Sequence, residues 1–183
     1  MSDDSASTAV PDADADSTAA TDTGGGGGSS PARDIDALRT VADYQFGAGA
    51  GTTLFPTDEA FEIRRSTGGR PRQVHTIDTR LVSYGVDGRF TLGVAGGRRL
   101  LELPAPANRV VVGDESEPFV REGKNVFAKF VDEVDPEIRP GDEVLVVHEQ
   151  GELLAVGRAE LSADGMVDFD SGMAVKVREG VDD

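Results

Sequence analysis

The chain has only three lysines, and all three fall in two short stretches that also carry glycine and large apolar residues. Gly123, Lys124, Asn125, Phe127 and Lys129 lie in G-K-N-V-F-A-K-F. Gly172, Met173, Lys176 and Arg178 lie in S-G-M-A-V-K-V-R. Glycine allows close approach of a backbone to a ribose-phosphate chain, and its amide can donate to a phosphate oxygen. Lysine and arginine neutralise phosphates, and an exposed phenylalanine stacks an unpaired base. Together these residue types suit contact with single-stranded RNA. The plainer alternative puts Val126 and at least one of Phe127 and Phe130 in the hydrophobic core, with Gly123 an ordinary helix cap.

A second basic group precedes them. Arg64, Arg65, Arg70 and Arg72 surround the turn Thr67-Gly68-Gly69. The planar fork of arginine fits phosphate bidentately, so a hairpin of this kind can grip a nucleic-acid backbone. Solvated arginines paired with nearby carboxylates are the competing possibility.

No catalytic set accompanies these groups. There is no cysteine, which excludes a disulfide framework, a thiolate metal site and a cysteine nucleophile. The two histidines, His75 and His148, are far apart in sequence, no Gly-x-Ser-x-Gly elbow occurs, and no metal or cofactor is expected. Gly47-Ala48-Gly49-Ala50-Gly51 superficially suggests a phosphate loop, but a helical pattern precedes it and the lysine of a P-loop is absent. The chain is therefore expected not to be an enzyme.

Charge divides the 183 residues, net −16 overall, into three parts. Residues 1–30 carry six acidic side chains and no basic one. Residues 31–107 carry nine acidic residues and ten arginines, net +1. Residues 108–183 carry nineteen acidic and eight basic residues, net −11. The first part closes on five glycines and holds almost nothing large and apolar, so residues 1–31 are expected to be a disordered acidic tail. No stretch approaches the roughly 20 apolar residues of a membrane span, and neither a basic n-region nor an apolar h-region opens the chain. A cytoplasmic location with no membrane partner is the default expectation. The acidic, lysine-poor balance looks like that of a salt-loving archaeon. At about 1 M salt the screening length falls to ~3 Å, so net charge would then say little about the partner.

The elements that must position these residues are short. In residues 32–106, Asp34 is a plausible N-cap for a helix with Ile35, Leu38, Val41 and Ala42 on its inner face. Strands are expected at 61–64, 72–77, 81–84, 89–94 and 98–103, punctuated by Asp87-Gly88 and Gly96-Gly97 turns. Pro104 and Pro106 make the join to the next part short and stiff. In residues 107–183, strands are expected at 109–112, 143–148, 152–161 and 173–178. A short helix is expected near 117–122, and 125–127 and 131–134 should be extended. The fold class expected is α+β, mostly β.

The run R-V-V-V, R-P-G-D-E-V-L-V-V and G-E-L-L-A-V-G-R-A-E-L, framed by the two lysine segments, resembles the PUA domain over residues 108–180. The resemblance implies a PUA-like pseudo-barrel over 107–183, with RNA bound around Gly123 and Gly172. Y-Q-F-G-A-G-A-G-T-T-L-F followed by R-R-S-T-G-G-R-P-R-Q-V resembles the domain just ahead of PUA in archaeosine tRNA-guanine transglycosylases. The catalytic barrel of that family, with its aspartates and zinc-binding cysteines, has no counterpart here. The resemblance implies a tRNA-binding accessory or targeting factor in the archaeosine pathway, with tRNA and a tRNA-modification enzyme as partners. The alternative is a protein-interaction adaptor whose barrel lacks RNA affinity, favoured if Glu122 and Asp170 neutralise the groove.

Overall fold

The computed structural model describes residues 30–181, so the expected disordered tail lies outside them except for its last two positions. There the structure differs from expectation: helix α1, Pro31–Phe46, starts at Pro31 with Ser30 as N-cap residue. Proline at the first helical position has its φ already set, so the helix begins three residues before Asp34. Ile35, Leu38, Ala42 and Phe46 form its buried face. The glycine run then turns the chain into a second short helix, α2, Ala50–Leu54, which sequence did not reveal. The Gly51 amide donates to Asp43 Oδ1 at 2.7 Å, so a carboxylate of the chain itself fills the position a phosphate would need.

Four antiparallel strands follow, β1 (Glu62–Arg65), β2 (Pro71–His75), β3 (Arg80–Tyr84) and β4 (Phe90–Leu92), neighbours in that order. The expected fifth strand at 98–103 is instead helix α3, Val94–Leu100. Packing decides this, not propensity. A Cβ on Gly97 would stand 2.5 Å from Val156 Cγ1, and one on Gly96 would stand 2.2 Å from the Leu81 carbonyl oxygen. The glycine pair is therefore the contact surface of a helix pressed on its neighbours, not a turn.

The remainder is a six-stranded sheet. Its strands are β5 (Arg109–Val112), β6 (Val126–Phe127), β7 (Val131–Val134), β8 (Glu143–His148), β9 (Leu153–Ala159) and β10 (Met173–Gly180), in the order β6-β10-β9-β8-β5-β7. Only β5 and β8 run parallel. Helix α4, Glu117–Arg121, a 3₁₀ turn, Ala128–Phe130, and helix α5, Ala163–Asp168, complete a mostly-β, nearly closed barrel, as expected. Ser162 caps α5 by accepting from the Gly165 amide.

Two apolar clusters account for the packing. Val110, Val144, Val146, Leu154 and Val175 fill the barrel. Leu145, Val147, Leu153 and Val156 point the other way, into one cluster with Leu38, Leu54, Phe90 and Leu100. Strand β8 is thus buried at all six positions, which is why V-L-V-V at 144–147 reads as a continuous apolar run instead of an alternating one. Polar contacts reinforce the junction. Leu92 N–H donates to Glu143 at 2.8 Å, Arg89 pairs with Asp142 at 2.8 Å, and Arg80 pairs with Glu179 at 2.5 Å.

Candidate nucleic-acid interface

The two lysine segments meet. Strand β6 pairs with β10 so that Phe127 stands opposite Met173, the Ala128 amide donates to the Gly172 carbonyl at 2.9 Å, and the Val177 amide donates to Asn125 Oδ1 at 3.1 Å. The far end of β10 closes on the same turn: a Cβ at Gly180 would lie 2.0 Å from the Arg121 carbonyl oxygen and 3.0 Å from the Gly123 nitrogen. Gly123, Lys124, Asn125, Phe127, Gly172, Met173 and Lys176 therefore share one edge of the barrel.

Beside this edge is a mostly apolar pocket of about 360 Å³, lined by Phe119, Val120, Val126, Phe127 and Phe130 together with Lys124, Asn125, Ser116 and one carboxylate, Glu115. Phe127 is 45% exposed and Phe119 58% exposed, while Val126 is buried. The expectation that one of Phe127 and Phe130 belongs to the core fails, because the 3₁₀ turn swings Phe127 outward and leaves Phe130 half-buried. Lys129 Nζ sits 4.5 Å from the Phe130 ring centroid, a cation–π contact. Phe119 was missed in the sequence; its place on the outer side of a short helix whose inner residue is Val120 is the signal that pointed to it.

Backbone donors differ between the two glycines. Gly123, at φ +83°, donates its amide to Val120 O at 2.9 Å, and Lys124 donates to Phe119 O at 2.9 Å. These bonds close α4, so neither amide is available to a phosphate, contrary to expectation. Gly172, at φ +118° and exposed, has an amide that no hydrogen bond of the described residues uses.

None of the three lysines is ion-paired among the described residues, although the barrel part is strongly acidic. Glu122 and Asp170 are exposed and reach no lysine. Arg178 is different. It leaves this edge and ion-pairs with the buried Glu143 carboxylate.

The arginine hairpin is not a single grip. Arg64 pairs with Glu62 at 3.0 Å, and Arg65 pairs with Asp34 and donates to Gly69 O. Arg70 is exposed at the tip, and Arg72 turns toward the cleft between the sheet and the barrel. Strand β1 is the sheet edge remote from β4, the strand that packs on the barrel. Arg64 and Arg65 therefore stand apart from the lysine edge.

One group of possible metal ligands exists among the described residues, Asp114, Glu117 and His148, with ligand atoms within 4.8 Å of one another. Its hydrogen bonds are already satisfied internally. His148 Nδ1 accepts from the Gln150 amide at 3.2 Å, so Nε2 carries the proton and donates to Asp114 Oδ1 at 2.9 Å. Glu117 in turn accepts from Arg121 Nε at 2.9 Å. A metal on Nε2 would require the proton at Nδ1, facing a backbone N–H. No helix of the described residues is long and apolar enough to cross a membrane.

The nearly closed mixed barrel is a PUA domain: residues 108–181 match it. Residues 36–106 match the patch-forming domain C2 of tRNA-guanine transglycosylase. The chain is thus homologous to the C-terminal part of archaeal tRNA-guanine(15) transglycosylases. It is 52% identical over 148 residues to the Pyrococcus furiosus enzyme, covering 80% of this chain and 25% of that one. To the enzyme of Methanothermobacter thermautotrophicus it is 48% identical over 149 residues, covering 80% and 23%. The chain thus spans about a quarter of the length of these relatives. Among solved structures, a conserved PUA domain protein from Thermoplasma acidophilum superposes with a TM-score of 0.61 at 22% identity, over 82% of this chain and 91% of that one. A hypothetical protein from Pyrococcus horikoshii gives 0.60 at 23%, over 82% and 92%. These two likenesses concern the fold.

Proposed function

We propose that this chain binds tRNA along the β6–β10 edge and serves as an accessory or targeting subunit for a tRNA-modifying enzyme of the archaeosine pathway. The observation that carries the reading is that none of the three lysines is ion-paired among the described residues and one of them, Lys124, lines an apolar pocket, in a chain with nearly twice as many carboxylates as basic residues. Arginines elsewhere in the chain are largely tied to carboxylates; the lysines are held back from them. Lys124 and Lys176 would contact phosphates, the Gly172 amide would donate to one, and Phe127 with Phe119 would stack an unpaired base. Homology to transglycosylases supports the link to tRNA modification.

The chain would itself perform no chemistry on the base, because its match covers only the C2 and PUA regions of those relatives. Its acidity would be an adaptation to a cytoplasm of molar salt in a haloarchaeon.

Crosslinking the protein to RNA in its own cells, and sequencing the recovered RNA, tests the substrate. Enrichment of tRNA is expected; recovery of no RNA, or of RNA without tRNA, would overturn the reading and favour a protein-interaction adaptor. Incubation of the pure chain with tRNA, followed by nucleoside mass spectrometry, should show no modified base.

A further inference from the structure

We infer that the cleft between the two domains is a second RNA contact, a seat for the phosphate backbone of folded RNA whose single-stranded end lies on the β6–β10 edge. This inference rests on the RNA-binding reading above and extends it to a second site. The cleft has a volume of about 610 Å³ and draws guanidinium groups from both domains: Arg72 and Arg89 from the sheet, Arg158 and Arg178 from the barrel. Only two carboxylates, Asp87 and Glu143, belong to its lining. Asp142 and Glu160 pair with two of these arginines from outside the lining, so charge in the cleft is near balance and its capacity for a phosphate lies in unused guanidinium donors.

The arginines are held in place yet not used up. Arg89 gives one N–H to Asp142 at 2.8 Å, Arg158 gives two to Glu160 at 2.9 and 2.7 Å, and Arg178 gives one nitrogen to Glu143. A guanidinium has five N–H donors, so each fork keeps donors for a phosphate while a carboxylate fixes its direction. Arg72 enters no hydrogen bond or ion pair among the described residues and is exposed.

Strand register makes the cleft continuous with the lysine edge. Lys176 and Arg178 are two apart on β10 and both exposed, so they share a face, and Lys176 stands directly opposite Arg158 of β9. Met173, opposite Phe127, lies five residues before Arg178 on the same strand. At ~3.3 Å per residue that is roughly 17 Å. A ligand filling the apolar pocket and the cleft together must therefore be an extended polyanion, which a single nucleotide is not.

Fluorescence anisotropy separates the two sites. Arg72→Glu removes the one cleft arginine with no structural partner, so its folding should be intact, and circular dichroism verifies this. Lys124→Glu alters the edge. Each variant is titrated with a full tRNA transcript and with a single-stranded RNA hexamer, with inorganic phosphate as a separate competitor. Arg72→Glu should weaken tRNA binding roughly tenfold or more, as loss of a charge-assisted phosphate contact does, and leave the hexamer within about twofold. Lys124→Glu should weaken both. Unchanged tRNA affinity in Arg72→Glu would overturn the cleft as an RNA contact. Equal weakening of tRNA and hexamer would overturn it as a separate site. If Lys124→Glu changes nothing while Arg72→Glu weakens tRNA, the edge reading fails and the cleft stands. Full competition by millimolar phosphate would show a small-anion site and overturn the RNA assignment.

Discussion

Glu143 and Arg178 illustrate what a single residue can conceal. Arg178 lies two positions from Lys176, in a segment whose composition suits phosphate contact, yet its partner is a carboxylate 35 residues away in sequence. No local pattern signals that pairing. Burial pushes the Glu143 carboxyl above its ordinary value of 4.5, while Arg178 and the Leu92 amide pull it down less strongly. A carboxyl that holds its proton more tightly when folded contributes most at low pH, and its contribution declines as pH rises past 4.5. Glu143→Gln removes this dependence and adds a pH-independent cost for the altered Arg178 contact. The wild-type melting temperature minus that of Glu143→Gln should therefore fall as pH rises above 4.5 and then level off, measured by calorimetry. A difference that grows with pH would show that Arg178 outweighs burial. By contrast, the exposure of Lys124 and Lys176 was legible from the sequence, because exposed lysine is the ordinary case.

Among the described residues most strands were read correctly and three of the five helices were not. The hairpin around Asp87-Gly88 carries turn residues, and the strands beside it appear where turn chemistry puts them. Helices α2, α3 and α5 were missed: the first was read as a glycine-rich turn, the second as a strand, and the third, six residues long, was not read at all. Glycine opposes a helix by about 1 kcal/mol, and the tight approach of α3 to β3 at Gly96 and to β9 at Gly97 makes glycine necessary there. The same logic gives a prediction for β10. Gly180→Ala places a methyl group 2.0 Å from the Arg121 carbonyl oxygen, so the strand end and the Gly123 turn must separate. Overpacking of this kind costs about 1–3 kcal/mol, which denaturant melts should record. tRNA affinity should fall as well, although no lysine has changed. A stability loss with unaltered affinity would show that the position of this turn does not matter to binding.

For the whole molecule, net charge −16 and RNA binding are compatible only if affinity does not depend mainly on counterion release. Five purely electrostatic phosphate contacts would give a log–log slope of about −4, and roughly a 10⁵-fold loss between about 0.1 M and 2 M salt. With the Gly172 amide, ring stacking at Phe127 and arginine forks sharing the load, the slope against KCl should be shallower than about −4, with binding retained near 2 M. A steeper slope with no binding left there would contradict both the proposed mechanism and the proposed high-salt habitat. The central claim is narrower: RNA lies on the edge where β6 meets β10. It is tested most directly by tRNA titration of Lys124→Glu and Lys176→Glu, both exposed and unpaired, so that the fold is spared. Each should weaken binding about tenfold or more, the cost of losing a charge-assisted contact; wild-type affinity in both variants would contradict it.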